Sequence, residues 1–226
     1  MQVNRKILLT TILLFTTILF FALNNLDLQI QDYFYSKDSM QWILSKHTEP
    51  YHFIFYTFAK KIPLILFMIL LFIVIFHRKK TYFIAYKKSI YIVLLSIPLV
   101  TGITVGIKNS TNMPCPKHTQ EYGGKYPHTA IWQAYKVPYN TYNKTHCWPA
   151  GHASGGFALM SLFFLFRRKR TKYLALGATI ALGWSMGIYK MLIGDHFFSH
   201  TLISMLLAWL IILIITSLVD KYTSTV

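Results

Sequence analysis

Lys108 heads the stretch NSTNMPCPKH, His152 closes PAGH at 149–152, and Lys190, Asp195, His196 and His200 all lie within YKMLIGDHFFSH at 189–200. Imidazoles can take up and give back protons near neutrality or attack an electrophile, and lysines add positive charge. In PAGH, Pro149 precedes a turn, Gly151 lets a ligand approach the backbone, and His152 falls in a first helical turn. That combination offers an anion free N–H groups, the positive end of a helix and a titratable donor. His196 and His200 are four residues apart and share one face where a helix has begun. One imidazole can then hold the second ring nitrogen of the other, which is how a nucleophilic histidine is oriented.

The elements that must position these residues are helices in a bilayer. With 54% hydrophobic and 16% aromatic residues among 226, and a positive mean hydropathy, the chain is too apolar for one soluble domain. A span needs roughly 20 mostly apolar residues, and windows of that size give about six: 7-23, 56-76, 89-107, 151-166, 172-193 and 198-219. The expected fold is an all-α bundle, one integral membrane domain over 1-226, with a long outer loop between the third and fourth helices. Lys60 and Lys61 interrupt the second window and read as interfacial or snorkelling side chains. The first window follows Arg5 and Lys6 and reads as an uncleaved span, because no small-residue cleavage site follows it. Gly177, Gly183 and Gly187 in the fifth are spaced for close helix contact.

The net charge of +16 raises nucleic acid as a partner, but the basic residues follow topology and form no aromatic-interleaved surface. Nucleic acid is therefore not an expected partner; the bilayer is. Arg5 and Lys6, the group from Arg78 to Lys88, the run RRKRTK at 167–172 and Lys221 fall on every second connection. The positive-inside rule assigns that side, with both termini, to the cytoplasm. The 24–50 connection, with Asp27, Asp32, Asp38 and Glu49, and the 108–150 loop then face outward, the periplasmic side of a bacterial inner membrane. All three chemical stretches converge at that outer surface.

The 108–150 loop is rich in Pro, Gly, Asn, Thr, His and Tyr and long enough to be functional. Trp132, Tyr135, Tyr139, Tyr142 and Trp148 suggest that it packs on the membrane interface. It holds both cysteines, Cys115 and Cys147. On the oxidising side these can close the loop as a disulfide, the alternative being two unpaired small residues.

The residues resemble the type 2 phosphatidic acid phosphatase superfamily, whose membrane members have six spans and the motifs Lys-x6-Arg-Pro, Pro-Ser-Gly-His and Ser-Arg-x5-His-x3-Asp. Here the corresponding residues are Lys108-x6-Cys115-Pro116, Pro149-Ala150-Gly151-His152 and Tyr189-Lys190-x5-His196-x3-His200. The resemblance implies His196 as the nucleophile that forms a phosphohistidine and His152 as the acid that protonates the leaving oxygen. It places His200 where the family's orienting aspartate stands, with Lys108, Lys190 and the Gly151 backbone on phosphate oxygens. No metal or cofactor is needed for that chemistry. The expected partner is a lipid phosphate: lipid A, a polyprenyl phosphate such as undecaprenyl diphosphate, or a phosphatidate-type phospholipid.

Four motif residues depart from the family: Cys115, Ala150, Lys190 and His200, and a lysine does not reproduce the fork of an arginine. Lys117, His118 and Lys125 in the same loop, and Asp195 beside His196, are candidates to compensate. The departures resemble a divergent subgroup with TNxxCP, YGG, PAGHAS and HFxSH, matched at Thr111-Asn112, Cys115-Pro116, Tyr122 to Gly124, Pro149 to Ser154 and His196 to His200. Three other readings stand beside hydrolysis: transfer of the phosphoryl group to a second lipid, a metal or anion site built from Asp195, His196, His200 and His152, and a catalytically silent scaffold.

Overall fold

The computed structural model describes residues 2–133, 136, 138 and 143–224. Tyr135, Tyr139 and Tyr142, expected at the interface, lie outside them. The chain is an all-α polytopic membrane protein with seven helices among the described residues: α1 (Gln2–Leu23), α2 (Leu26–Asp32), α3 (Ala59–Phe76), α4 (Thr81–Ser110), α5 (Gly151–Ala158), α6 (Lys169–Leu192) and α7 (Phe198–Ser224). A wide π-type turn, Phe53–Phe58, leads into α3. The sole sheet among the described residues is a small hairpin in which β1 (Tyr35–Ser36) pairs antiparallel with β2 (Gln41–Trp42).

Among the described residues, four helical stretches are long and apolar enough to cross a membrane: Val3–Leu23, Phe53–Phe76, Thr81–Ser110 and Phe198–Thr223. The other two expected spans take different forms. In 151–166, α5 lasts eight residues and tightens into a 3-10 segment, Leu159–Phe164; Gly151, Gly155 and Gly156 weaken helix propensity there, and burial by neighbours takes over. In 172–193, α6 has the length, but basic, Gly, Thr and Ser residues dilute its apolar content.

Packing explains Gly156 of these three, together with Gly183 and Gly187 of α6. A Cβ on Gly156 would strike the Gly183 backbone, one on Gly183 would strike the Phe157 ring, and one on Gly187 would strike Thr201, so α5, α6 and α7 meet through small residues. Gly177 has open space before it and takes no part. Val100, Ala153, Phe157, Met160, Ala208 and Ile212 form the core shared by α4, α5 and α7. Leu70, Phe83, Val93 and Leu159 join α3 to α4 and the 3-10 segment.

The connection between α1 and α3 covers the α6–α7 junction. Gln31 donates to the Met191 carbonyl at 2.9 Å, and the Leu44 N–H donates to that of Leu192 at 3.2 Å. Asp27 of α2 accepts the Ser199 backbone N–H at 2.9 Å and also its hydroxyl, capping the start of α7. Trp148 is buried with Tyr35, Tyr122, Phe197 and Ile203 beneath this cover and not at the interface.

Candidate functional site

The site is built around the turn from α6 to α7. Helix α6 ends before Gly194, whose φ of +72° is left-handed and whose open side is filled by the Trp42 indole. The N–H groups of Asp195 and His196 both donate to the Lys190 carbonyl, at 2.8 and 3.3 Å. His196 is thus fixed just before α7, and His200 follows in the first turn. The two rings meet through Nδ1 atoms 3.3 Å apart, with His196 3% and His200 0% exposed. One of these nitrogens must carry the shared proton. With His196 as donor, its Nε2 keeps a free lone pair. The Ala150 N–H donates to the His200 carbonyl at 3.2 Å, so the PAGH segment is tied to the same helix start.

The lysines converge on that turn. Lys190, 4% exposed, places Nζ 2.7 Å from one Asp195 oxygen, and Lys117 from the loop places its Nζ 2.7 Å from the other. Burial by itself raises the Asp195 carboxyl, but the two ammonium groups prevail and hold it at about 2. Lys108, in the last turn of α4, lies within electrostatic reach of Lys190 and Asp195. For His196, burial first, then the His200 ring and Lys108, push the imidazole well below its ordinary value. It is neutral at physiological pH, the form that has a lone pair to donate.

His152 stands in the first turn of α5, its ring centroid 4.8 Å from that of Tyr56. The same Tyr56 ring carries Lys190 Nζ at 4.7 Å and Lys60 Nζ at 5.7 Å. Lys108, Gly151 and His152 form the polar end of a cavity of about 890 Å³ between α3, α4 and α5. Pro63, Leu64, Phe67, Ile97 and Pro98 line its apolar remainder. A Cβ on Gly151 would meet only the Lys108 and Val105 side chains, at 4.0 Å, so the backbone there faces open cavity.

Of the six expected site residues, Lys108, Gly151 and His152 line this cavity, while Lys190, His196 and His200 stand at the α6–α7 turn, with Lys190 and His152 meeting at the Tyr56 ring. Cys115 and Cys147 are paired, with Cα atoms 5.2 Å apart, and Cys115 stands two residues before the Lys117 that reaches Asp195. Among the described residues, no group of three or more His, Cys, Asp or Glu side chains is arranged to hold a metal ion. Sequence reasoning missed Tyr56, Trp42 and Asp27. Lys60, read as an interfacial or snorkelling side chain, lines the cavity; its position at the start of an otherwise apolar run was the one signal available.

A family model described as the PAP2 superfamily matches residues 89–224. The lipid A 4'-phosphatase of Francisella tularensis subsp. novicida (strain U112) is 26% identical over 188 residues, covering 82% of each chain. No solved structure matches the chain significantly.

Proposed function

The chain belongs to the PAP2 superfamily of lipid phosphatases, and from that premise we propose that it removes phosphate from a lipid at the outer face of a bacterial inner membrane. Lipid A is the foremost candidate substrate, ahead of undecaprenyl diphosphate and phosphatidate, because the relative spanning 82% of both chains is a lipid A 4'-phosphatase. The observation that carries the reading is the cavity with Lys108, Gly151 and His152 at one end and an apolar wall at the other. A charged headgroup joined to acyl chains has that same division. In this arrangement α5 with its 3-10 segment and α6 complete a six-segment bundle, the basic connections at Arg78 to Lys88 and 167–172 lie in the cytoplasm with both termini, and the lysine cluster faces outward.

In the proposed reaction, His196 Nε2 attacks phosphorus in line with the leaving lipid oxygen while Nδ1–H is held by His200. The P–O bond to the lipid breaks as His152 gives that oxygen a proton. Lys108, Lys190 and the Gly151 N–H balance the charge on the equatorial oxygens. His152 then takes a proton from water, which attacks the phosphohistidine, releasing phosphate and restoring His196.

The test is phosphate release by the detergent-purified protein, in chelator, from lipid A, undecaprenyl diphosphate and phosphatidate, with His196→Ala as control. Release that is lost in the control supports the reading and identifies the substrate. Transfer of labelled phosphate to a second lipid, in place of release, replaces hydrolysis by phosphotransfer. Neither release nor transfer from any of the three refutes the reading and leaves a silent scaffold.

A further inference from the structure

Both oxygens of Asp195 are engaged by different cations. Lys190 comes from the last turn of α6, buried, and reaches one oxygen at 2.7 Å; Lys117 comes from the loop, one-third exposed, and reaches the other at the same distance. The two lysines are anchored independently of the carboxylate they share. The Lys117 N–H donates to the Gly194 carbonyl at 3.0 Å, and the bonded Cys115 two residues earlier ties the same turn to Cys147. Lys190 is fixed by α6 and by its position over the Tyr56 ring. The Asp195 backbone is held by its hydrogen bond to the Lys190 carbonyl, and its carboxylate by the two lysines. Its side chain can change rotamer without disturbing the turn, a small cost beside any backbone movement.

A carboxylate in a fork of two ammonium groups, one residue from His196, occupies the kind of space that two oxygens of a phosphoryl group would occupy. We propose that Asp195 is an internal substitute anion: it keeps the Lys117–Lys190 subsite filled and the lysines in place until a phosphoryl group displaces its carboxylate. Lys117 is then a phosphate ligand supplied by the loop. The exchange has an electrostatic basis. One carboxylate leaves the three lysines at this site, Lys108, Lys117 and Lys190, with an excess of positive charge, and a phosphomonoester dianion offsets more of it. The carboxylate also spares the empty site two desolvated, unpaired ammonium groups. This inference rests on the phosphatase reading for its substrate, but the subsite itself is testable with inorganic phosphate alone.

The experiment is equilibrium dialysis of radiolabelled inorganic phosphate against the detergent-purified full-length protein, for wild type, Asp195→Ala, Asp195→Asn and Lys117→Gln. Elution profile and thermal unfolding establish that each variant is folded, and the near-isosteric Asp195→Asn serves if Asp195→Ala does not fold. Removing the internal competitor is expected to tighten phosphate binding by about tenfold or more, and Lys117→Gln to weaken it by about tenfold. Phosphate binding unchanged or weakened in the folded Asp195 variants, or unchanged in Lys117→Gln, overturns the proposal. The expected order of binding without turnover of any lipid would refute the phosphatase reading and keep this one. His196-dependent turnover with no tightening in the Asp195 variants would do the reverse.

Discussion

Nδ1 of His196 lies 3.3 Å from Nδ1 of His200, and both rings are buried. This contact couples the two tautomers: with His200 as acceptor, His196 carries its proton on Nδ1 and keeps Nε2 free. His200→Ala is expected to lower kcat about a hundredfold or more with KM little changed, and His200→Asp, which restores an acceptor, to recover part of that loss. Equal kcat values for His200→Ala and wild type, measured on one lipid, would remove His200 from the orienting role.

The pH profile follows from the same pair. Burial and the His200 ring keep His196 neutral well below the ordinary imidazole range, so its loss of activity on protonation falls far on the acid side of about pH 6.5. A carboxylate at His200→Asp would stabilise the imidazolium and raise that pKa, moving the acid limb of kcat/KM to higher pH. Comparing the two enzymes on one substrate cancels the substrate's own ionisation. Superimposable acid limbs would show that His196 does not set them.

Tyr56 touches His152 and two lysines through one ring face or the other. Tyr56→Phe keeps the ring and is expected to stay within a few fold of wild type, whereas Tyr56→Ala releases His152 and Lys190 and lowers kcat by roughly ten to a hundredfold. Steady-state kinetics on the two variants decides: equal losses in both would shift the role from the ring to the hydroxyl.

Asp27 predicts a pH-dependent stability. Burial raises its carboxyl to about 6, against the lowering effect of the Ser199 hydrogen bonds. The folded state therefore binds a proton that the unfolded chain binds only near pH 4, and stability rises as pH falls from about 6 toward 4, by on the order of 3 kcal/mol. The thermal midpoint of the wild type in detergent should increase between pH 7 and pH 5, and that of Asp27→Asn should rise by less. Equal pH responses in the two proteins would show that Asp27 is not the source.

The apolar part of the cavity predicts a selective steric block. Thr101 lines it away from Lys108, so Thr101→Trp should raise KM for a long-chain lipid phosphate about tenfold and leave a short, water-soluble phosphate ester unaffected. A matching loss on both substrates would mean that the wall does not hold the chains.

The bilayer class, the three chemical stretches and their convergence at one end were legible in the sequence, because hydrophobic run length, basic-residue placement and local spacing are properties of the chain read in order. The four-residue spacing suggested that His196 and His200 are neighbours, but His196 precedes α7, so the turn after Gly194 and not a shared helix face brings the rings together. What tertiary structure decided was everything between distant segments. That 151–166 shortens to α5 and a 3-10 segment follows from glycine packing against α6, which no window average detects. Lys117 and Lys190, 73 positions apart by their numbers, share Asp195 because the loop is folded back onto the Gly194 turn. Asp27 caps α7 from α2, and Tyr56 reaches His152 of α5 from the turn that leads into α3, through contacts that depend on how helices are stacked and not on any local pattern. The sequence therefore specified which titratable and cationic groups gather at one end of the bundle, while the packing of the α1–α3 connection and of α5 against α6 decided which of them stand together and in what protonation state.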